Sequence, residues 1–365
     1  MKKFSRRDFL KLTGASLGSM AFQRFEGIYP SGRFEFPQGD KLGRVSVTPY
    51  FYATEMKAAP DFSAATVAAL PEDTVVVWMR EVVGTAHYSQ SKRWIETPEG
   101  FIYYPHLQPV YNHINIPMAT LPEGKAGFWA EVTVPYVDLR PLSSSVSSPS
   151  FSYIMSLGQS PRLYYSQVVW IDGIKEEGGK TFYRFNEDLG HGYGYGDIFW
   201  ADATAFRMIT EAEVAPISPD IDPALKKIVA DVTYQTISCY EGEREVFFCR
   251  MSSGAGDFNT PVGSLYTWWK TFSIHMSANT ASDSGYDTAG VSWPTFISGA
   301  GVAIHSVFWH SDYGVRRSHG CINVEPDAAK WIFCWTSPHV SLDQSEIKMT
   351  WPDVGTEVSV VERSF

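Results

Sequence analysis

The sequence predicts a mainly β protein made of small domains, with one clear helix in the last of them. Short runs of β-branched and aromatic residues recur along the chain, such as TVVVWMREVV at 74–83, and such runs are typical of strands. The clear helical stretch is 325–336. At 365 residues, 44% of them hydrophobic and 15% aromatic, the chain is too long for one core and too apolar for disorder. Two or three folded domains are therefore predicted.

Charge and hydropathy narrow the range of partners. The formal net charge is −10, from 30 Lys and Arg against 40 Asp and Glu. No basic cluster lies beyond the N-terminus, so nucleic acid is excluded as a partner, because phosphate binding needs clustered basic residues. No later stretch reaches the roughly 20 apolar residues that span a bilayer. We expect no stable membrane span after the N-terminal segment.

Residues 1–22 match a twin-arginine export signal. SRRDFLK at 5–11 carries the arginine pair, and a weakly apolar run follows at 12–22. Ser19 and Ala21 place small residues at the −3 and −1 positions of a cleavage site. The pattern predicts export of an already folded protein. The alternative is a chance arginine pair on a cytosolic helix.

Residues 43–110 are predicted to form a small barrel of short strands. The most specific part is a hairpin in which RWIET and FIYY are joined by a Pro-Glu-Gly turn, a frequent turn sequence. Trp94-x-Glu96 followed by Gly100-Phe101-Ile102 resembles the bacterial SH3-like modules. The resemblance implies an SH3-like domain at 43–110.

Residues 112–219 are predicted to form a second β region, and one interpretation is a further SH3-like unit with an insertion. A strand or two is expected at 127–139 and a hairpin on either side of the KEEGG turn near 175–179. The serine-rich stretch 141–150 predicts an exposed loop. The glycine-rich stretch that begins at His191 lacks the setting of a phosphate loop and predicts a loop tip.

Prolines 216, 219 and 223 predict a boundary near residue 220, and the last domain is predicted at 224–361. We expect a hairpin around the turn 241–244, a strand at 273–278, a loop around 283–290, a strand at 302–310 and the helix at 325–336. Cys239 and Cys249 flank the hairpin turn, and a disulfide between them is the minor alternative. Cys334 is predicted to be a buried thiol in the helix.

The chemistry is concentrated in residues 302–323, VAIHSVFWHSDYGVRRSHGCIN. A catalytic cysteine needs a neighbouring imidazole to take its proton. His319 lies two residues before Cys321 and would point the same way along an extended strand, so it is poorly placed to face the thiol. His305 arrives on a separate apolar strand and can face it. Ser306 could orient that imidazole, and Gly320 could let the backbone approach closely, with N–H groups of 319–321 as an oxyanion site.

The box Ser318-His319-Gly320-Cys321-Ile322-Asn323 resembles the catalytic domain of L,D-transpeptidases, as do Ala303-Ile304-His305-Ser306 and a Thr-Pro-x-Gly element after a Ser-Ser-Gly. This resemblance implies that Cys321 is the nucleophile, that His305 is the base and that the carbonyl of Ser306 orients His305. It also implies that His319 and Gly320 shape the oxyanion site and that Asn323 supports the box. Many members carry Gly where Ser306 stands and Arg where Asn323 stands. The interval from His305 to Ser318 is short, which leaves the length of the covering loop open.

The resemblance implies acyl transfer through a thioester. Cys321 would attack the carbonyl between the third residue of a peptidoglycan stem and its terminal D-Ala, and an amine of a neighbouring stem would then form a cross-link between third residues. It further implies acylation by carbapenems, no cofactor, and a location in the cell envelope, periplasm or cell wall. Six residues are predicted to line the substrate groove: Tyr286, Trp293, Trp309, His310, Arg317 and Asn323. Core packing is an equal alternative for Tyr286 and Trp293.

Four other functions stay open at this point. Water as acceptor would make the protein an L,D-carboxypeptidase. A decayed site would leave a non-catalytic wall-binding protein. A zinc site at His305, His310, His319 and Cys321 lacks the usual paired spacing, so no metal is predicted. In the Cys-His wall endopeptidases that also carry SH3-like modules the cysteine precedes the histidine, whereas here the histidine comes first.

Overall fold

A computed structural model describes residues 36–46, 53–86, 91–187, 195–278, 280 and 285–364. Within these residues the chain is mainly β, as predicted, and its strands form seven sheets. The export segment 1–22 and the predicted loop tip at His191 lie outside the described residues. None of the described helices is long and apolar enough to cross a membrane. Short 3-10 helices connect several strands, at Tyr104–His106, Ala203–Ala205, Glu211–Glu213 and Pro223–Leu225.

The N-terminal part consists of two small sheets, in the orders β4-β1-β8 and β3-β2-β7-β6-β5. Its strands are β1 (Leu42–Val45), β2 (Ala53–Lys57), β3 (Thr66–Pro71), β4 (Val75–Val77), β5 (Arg80–Val83), β6 (Arg93–Glu96), β7 (Phe101–Tyr103) and β8 (Leu107–Val110). The predicted hairpin is confirmed, with Ile95 opposite Ile102. Both side chains are fully buried in the core between the sheets. The SH3-like assignment stays a prediction.

The middle part is a six-stranded sheet in the order β11-β15-β14-β13-β9-β16, with a two-stranded sheet of β10 and β12. Its strands are β9 (Phe128–Val132), β10 (Tyr136–Asp138), β11 (Arg140–Pro141), β12 (Arg162–Tyr164), β13 (Val168–Glu177), β14 (Lys180–Asn186), β15 (Ile198–Asp202) and β16 (Phe206–Met208). The predicted hairpin is confirmed as β13 and β14. Whether this part is SH3-like stays a prediction.

A helix that the sequence reasoning missed, α1 (Pro149–Ser156), begins at the end of the serine-rich loop. Proline at its first position has the backbone angle that a helix requires. The Ser148 side chain caps it by accepting from the Phe151 N–H at 3.2 Å, a role that serine fills well. The serines that predicted a loop thus also start the helix.

The C-terminal part contains two five-stranded sheets, β19-β18-β17-β28-β20 and β26-β25-β24-β21-β27, and the hairpin β22-β23. Its strands are β17 (Lys226–Asp231), β18 (Thr236–Glu241), β19 (Arg244–Arg250), β20 (Gly263–Tyr266), β21 (Trp269–Thr271), β22 (Ser273–Ala278), β23 (Tyr286–Ser292), β24 (Thr295–Phe296), β25 (Ala303–Ser306), β26 (Ile322–Val324), β27 (Glu346–Lys348) and β28 (Glu357–Val361). The hairpin around 241–244 is confirmed. The loop predicted around 283–290 is wrong for 286–290, which belong to β23.

The predicted helix near the C-terminus is confirmed as α2 (Pro326–Trp335). It buries Ala328, Ile332 and Phe333 and packs against β25. Thr336 caps the C-terminal end of the helix, and its hydroxyl donates to the Ile332 carbonyl at 2.8 Å. Ser337-Pro338 follows. The helix thereby supports the strand that carries the predicted base.

The buried cores cross the boundaries between the three parts. Trp129 and Val168 of the middle sheet pack in one cluster with Ile304 and Ile322 beside the predicted site. Ala289 of β23 joins the middle core. The C-terminal part is therefore packed against its neighbours by apolar contact and is not tethered to them by a linker alone.

Candidate active site

Two parallel strands bring the predicted base and nucleophile together. β25 pairs with β26, placing Ile304 opposite Ile322 and His305 opposite Asn323. Cys321 directly precedes β26. Both strands are buried along their length, as expected for parallel pairing. The sheet register therefore sets the distance between His305 and the cysteine box.

A chain of hydrogen bonds defines the protonation of His305. The Asp312 N–H donates to Nδ1 of His310 at 3.3 Å, so the proton of a neutral His310 lies on Nε2, which donates to Oδ1 of Asn323 at 3.2 Å. The Asn323 amide nitrogen then donates to Nε2 of His305 at 3.1 Å. Nδ1 of His305 donates to the Ser306 carbonyl at 2.8 Å. The donor and acceptor of each hydrogen bond follow from the Asp312 N–H, which can only donate.

This chain leaves the lone pair of His305 on Nε2. His305 is only 2% exposed, and burial lowers its pKa to about 4, against a smaller opposing effect of the Ser306 carbonyl. Burial likewise lowers the pKa of His310 to about 4. Neutral imidazole is the form that can accept a proton. The Ser306 hydroxyl donates to the Ser292 carbonyl at 3.0 Å, so Ser306 orients His305 through its own carbonyl.

The Cys321 thiol is reachable and protonated. Its residue is half-buried, and its Sγ donates to the Gly301 carbonyl at 3.6 Å. Burial raises the pKa of this thiol to about 11, with a smaller lowering by the Ala303 backbone. Neither of these contacts joins the sulfur to Nε2 of His305, which accepts from Asn323. The resting pair is therefore a thiol and a neutral imidazole.

The cysteine box is held by short-range hydrogen bonds. The Ser318 hydroxyl accepts from the Gly320 N–H at 3.1 Å and donates to the Cys321 carbonyl. Thr260, from the Thr-Pro-x-Gly element, donates to the Gly320 carbonyl at 2.8 Å and accepts from the Gly254 N–H at 2.9 Å. The hydroxyl of Thr260 thus connects the Thr-Pro-x-Gly element and the Ser-Ser-Gly element to the cysteine box.

The requirement for glycine at 320 differs from the one predicted. A side-chain Cβ there would meet no atom closer than 3.9 Å, so close approach is not the reason. The backbone has a φ of +110°, which a residue with a side chain rarely adopts. Its N–H is also taken by Ser318. Gly320 shapes the turn before Cys321, and its own N–H does not point to a free oxyanion site.

His319 lies at the rim of the site. It is exposed, and its ring lies between two aromatic rings, 4.6 Å from that of Phe258 and 5.2 Å from that of Tyr286. This placement agrees with the argument that His319 sits beside Cys321 without facing it. Trp309 is half-buried, with its ring 6.1 Å from that of His305, and packs in the cluster that includes Cys321. Burial raises the pKa of Tyr286 and the charge of Cys321 raises it further, so Tyr286 lies near the thiol, while Trp309 packs against the same apolar cluster as Cys321.

Four of the predicted groove residues lie elsewhere. Trp293 is 1% exposed and packs against Phe272 and Phe333, so core packing, the alternative kept above, is what the structure shows. Asn323 and His310 are buried; Asn323 contacts the predicted base His305 and His310 contacts Asn323. Arg317 pairs with Asp312 and lines a cleft of about 1080 Å³ between the N-terminal and C-terminal parts.

A contact with the N-terminal part escaped the sequence reasoning. Arg44 of β1 is 1% exposed and donates to the carbonyl of Phe308, three residues after His305. The same guanidinium donates to Asp73 and Gln108. A lone arginine in a β1 strand carries no local signal for such a contact, since its partner lies 264 residues away in the chain.

The other cysteines do not compete with Cys321. All four are free, so the minor disulfide alternative is not realised. Burial raises the pKa of Cys249 to about 12, and it raises those of Cys239 and Cys334 as well. The burial predicted for Cys334 is confirmed. Among the described residues no group of three or more His, Cys, Asp or Glu side chains is arranged to hold a metal.

Comparison with known proteins finds similarity in the C-terminal part. Residues 225–360 match the family model of the YkuD L,D-transpeptidase catalytic domain. L,D-transpeptidase 2 of Mycobacterium tuberculosis (strain CDC 1551 / Oshkosh) is 35% identical over 92 residues, covering 23% of this chain and 22% of that protein. L,D-transpeptidase 1 of Mycobacterium tuberculosis (strain ATCC 25618 / H37Rv) is 29% identical over 112 residues, covering 29% and 44%.

Solved structures give partial overlaps. A mutant L,D-transpeptidase of Enterococcus faecium aligns with 25% identity and a TM-score of 0.30, over 39% of this chain and 51% of that one. An LD transpeptidase in complex with imipenem aligns with 19% identity and a TM-score of 0.32, over 53% and 89%. The family model matches the C-terminal part alone, and this chain spans less than half the length of the two curated relatives.

Proposed function

Residues 225–360 form a YkuD-type L,D-transpeptidase catalytic domain, and from this premise we propose that the protein is a peptidoglycan L,D-transpeptidase with Cys321 as its nucleophile. The observation that carries the proposal is the placement of a half-buried thiol directly before β26, next to the parallel strand β25 that carries a buried, neutral imidazole. The substrate would be a stem peptide that ends in D-Ala.

The resting protonation sets the order of events. With a thiol pKa of about 11 and an imidazole pKa of about 4, a preformed thiolate is not favoured at neutral pH. The Asn323 amide releases Nε2 of His305, and the proton of Cys321 passes to that nitrogen as the sulfur attacks the carbonyl before the terminal D-Ala. Nε2 returns that proton to the departing amine, which leaves as D-Ala and a thioester remains. An amine of a second stem attacks the thioester, and its proton returns to the sulfur through His305.

The proposal is tested by intact-mass spectrometry after incubation with a carbapenem, the inhibitor class represented by the imipenem complex above. We expect one adduct per chain in the wild type and none in Cys321→Ala. Cys249→Ala is the matched control, because Cys249 is also half-buried with a raised thiol pKa, and it should keep the adduct. A folded wild type without an adduct would overturn the nucleophile assignment.

Product analysis with tetrapeptide stems then identifies the acceptor. A dimer joined through third residues, with release of D-Ala, supports the transpeptidase. A tripeptide without dimer would show that water is the acceptor and that the enzyme is an L,D-carboxypeptidase.

We further propose that the protein acts in the cell envelope and that residues 1–22 direct it there by the twin-arginine route. Replacing Arg6 and Arg7 by lysine is expected to retain the protein inside the cell, because that route recognises the arginine pair. Cell fractionation of the wild type and of the double lysine variant measures this. Equal export of the wild type and the variant would contradict the twin-arginine route.

A further inference from the structure

The hairpin β22-β23 of the catalytic domain is held from outside by the middle part. The side-chain amide of Gln167 donates to the carbonyls of Ala289 at 2.7 Å and Gly290 at 3.1 Å. These two residues stand opposite a single residue of β22, at a bulge in the pairing. Gly290 has a φ of +64° there. The middle part therefore satisfies the carbonyls that the bulge removes from the ladder.

A charged clamp lies beside this bulge. His275 is 1% exposed, and its Nδ1 is 2.6 Å from Glu187 of the middle part. Its Nε2 is 2.7 Å from Asp287 of β23. The other oxygen of Asp287 accepts from the Ser148 hydroxyl and the Ser150 N–H, both at 2.8 Å. One imidazole thus joins a carboxylate of each part across their interface.

Aromatic rings pack around the clamp. The rings of Phe151 and Tyr195 lie 6.2 Å and 5.0 Å from that of His275. Among the described residues, the titratable groups that contact the imidazole are these two carboxylates and the Tyr195 phenol. Oε2 of Glu187 is buried and has no hydrogen-bond partner within that part of the chain. A buried carboxylate in that position is costly unless a cation lies beside it.

The clamp is one residue from the active-site wall. Successive side chains of a strand point to opposite faces, so Asp287 faces the middle part while Tyr286 faces the site. The Tyr286 ring is 5.2 Å from that of His319, and His319 is two residues before the nucleophile. Whatever fixes Asp287 therefore fixes the aromatic ring that borders Cys321.

We propose that Glu187, His275 and Asp287 are positioning residues that hold the hairpin β22-β23 so that Tyr286 borders the Cys321 thiol. The middle part, 112–219, then contributes to substrate positioning in the catalytic domain. This inference rests on the proposed acyl-transfer function of Cys321. It assigns no chemical step to the clamp, which acts through Tyr286.

The test compares two buried carboxylates of similar exposure. Asp287→Asn removes the charge that faces His275 and keeps the side-chain shape. Asp172→Asn is the matched control, because the side chains are 6% and 7% exposed and Asp172 binds Arg184 at 2.6 Å within the middle part. Full-length variants are acylated with a carbapenem, and the second-order rate and the melting temperature are measured.

We expect Asp287→Asn to slow acylation about 10- to 100-fold, as misplaced positioning groups do. Asp172→Asn should lower the melting temperature while its rate stays within about 2-fold of wild type, since residues that share no partners act independently. An equal loss of rate in both variants would overturn the proposal. Glu187→Gln serves the same comparison if Asp287→Asn does not fold.

A double-mutant cycle shows whether the clamp acts through Tyr286. In a Tyr286→Ala background, Asp287→Asn should slow acylation by less than about 2-fold further, because the group it positions is gone. The same slowing in both backgrounds would contradict this route. Absence of any adduct on the wild type would instead refute the proposed function, so the two failures are distinguishable.

Discussion

His305 and His275 are equally buried, at 2% and 1% exposure, yet His305 is neutral at pH 7 and His275 carries a positive charge. His305 lies between a backbone carbonyl and an amide nitrogen, and burial lowers its pKa to about 4. Burial also acts to lower the pKa of His275, but hydrogen bonds and charge from Asp287 and Glu187 raise it to about 9. At neutral pH one ring is an imidazole and the other an imidazolium.

The difference shows that burial does not decide the role of a histidine in this protein, whereas its partners do. A general base must be unprotonated, so neutral partners suit His305. A clamp between two carboxylates must carry a charge, so His275 needs anionic partners. The two rings lie on strands of the same domain. Substituting one partner of either histidine should shift the pKa of its ring toward that of the other.

Removal of the base is the largest expected effect. His305→Gln keeps a polar side chain but cannot accept the thiol proton, so the second-order rate of carbapenem acylation should fall by about 10²- to 10⁴-fold. The rate is followed by intact mass. His275→Gln, which removes the other ring, should cost clearly less. A larger loss in His275→Gln would contradict the division of roles.

A carboxylate beside His305 should raise its pKa and make it positively charged at neutral pH, as His275 is. Asn323→Asp places an anion next to Nε2, which is 3.1 Å from the present amide, so the pKa of His305 should rise from about 4. As imidazolium at neutral pH it would accept no proton, and acylation should slow roughly 10- to 100-fold. An NMR titration of His305 measures the shift, with Asn323→Ala as the uncharged control. An unchanged titration in Asn323→Asp would contradict the account.

The pH dependence of stability should report the charge of His275. Its folded pKa of about 9 exceeds the ordinary value of 6.5. Its contribution is therefore fully present below pH 6.5 and is lost as the pH rises through 9. The whole shift corresponds to about 3 kcal/mol, and the difference in free energy of unfolding between wild type and Asp287→Asn should shrink over that window by the share that Asp287 supplies, because Glu187 remains beside His275. Urea titrations from pH 6 to 10 measure it, and a difference that grows with pH would contradict the assignment.

The smallest effect is expected at His310. Its Nε2–H holds Oδ1 of Asn323 and so turns the amide nitrogen toward His305. His310→Gln can still supply an N–H, whereas His310→Phe cannot, and the amide is then free to turn and stabilise the tautomer with Nε2 protonated. We expect acylation to slow by about 3- to 10-fold in the phenylalanine variant only. Nitrogen chemical shifts of His305 identify the tautomer, and identical shifts in both variants would exclude this role.

Much of the catalytic site was predictable because its residues are close in sequence. The box 318–323 and the strand ending at Ser306 lie within about twenty residues, and a local pattern determines which types stand near one another. The hairpin partners of β6, β13 and β18 were predictable for the same reason. Helix α1 was missed because serine favours both loops and helix starts.

The remaining features depend on partners far apart in the chain. Trp293 is an aromatic residue of the kind that lines substrate grooves, but packing against Phe333 buries it. His275 was placed on a strand by its sequence, yet its charge comes from Glu187, which lies 88 residues away. By itself the sequence predicted the candidate nucleophile, the candidate base and the β architecture around them. Only the tertiary structure decided which buried histidine is neutral and which is charged, because pKa values follow from desolvation and contacts that no local pattern contains.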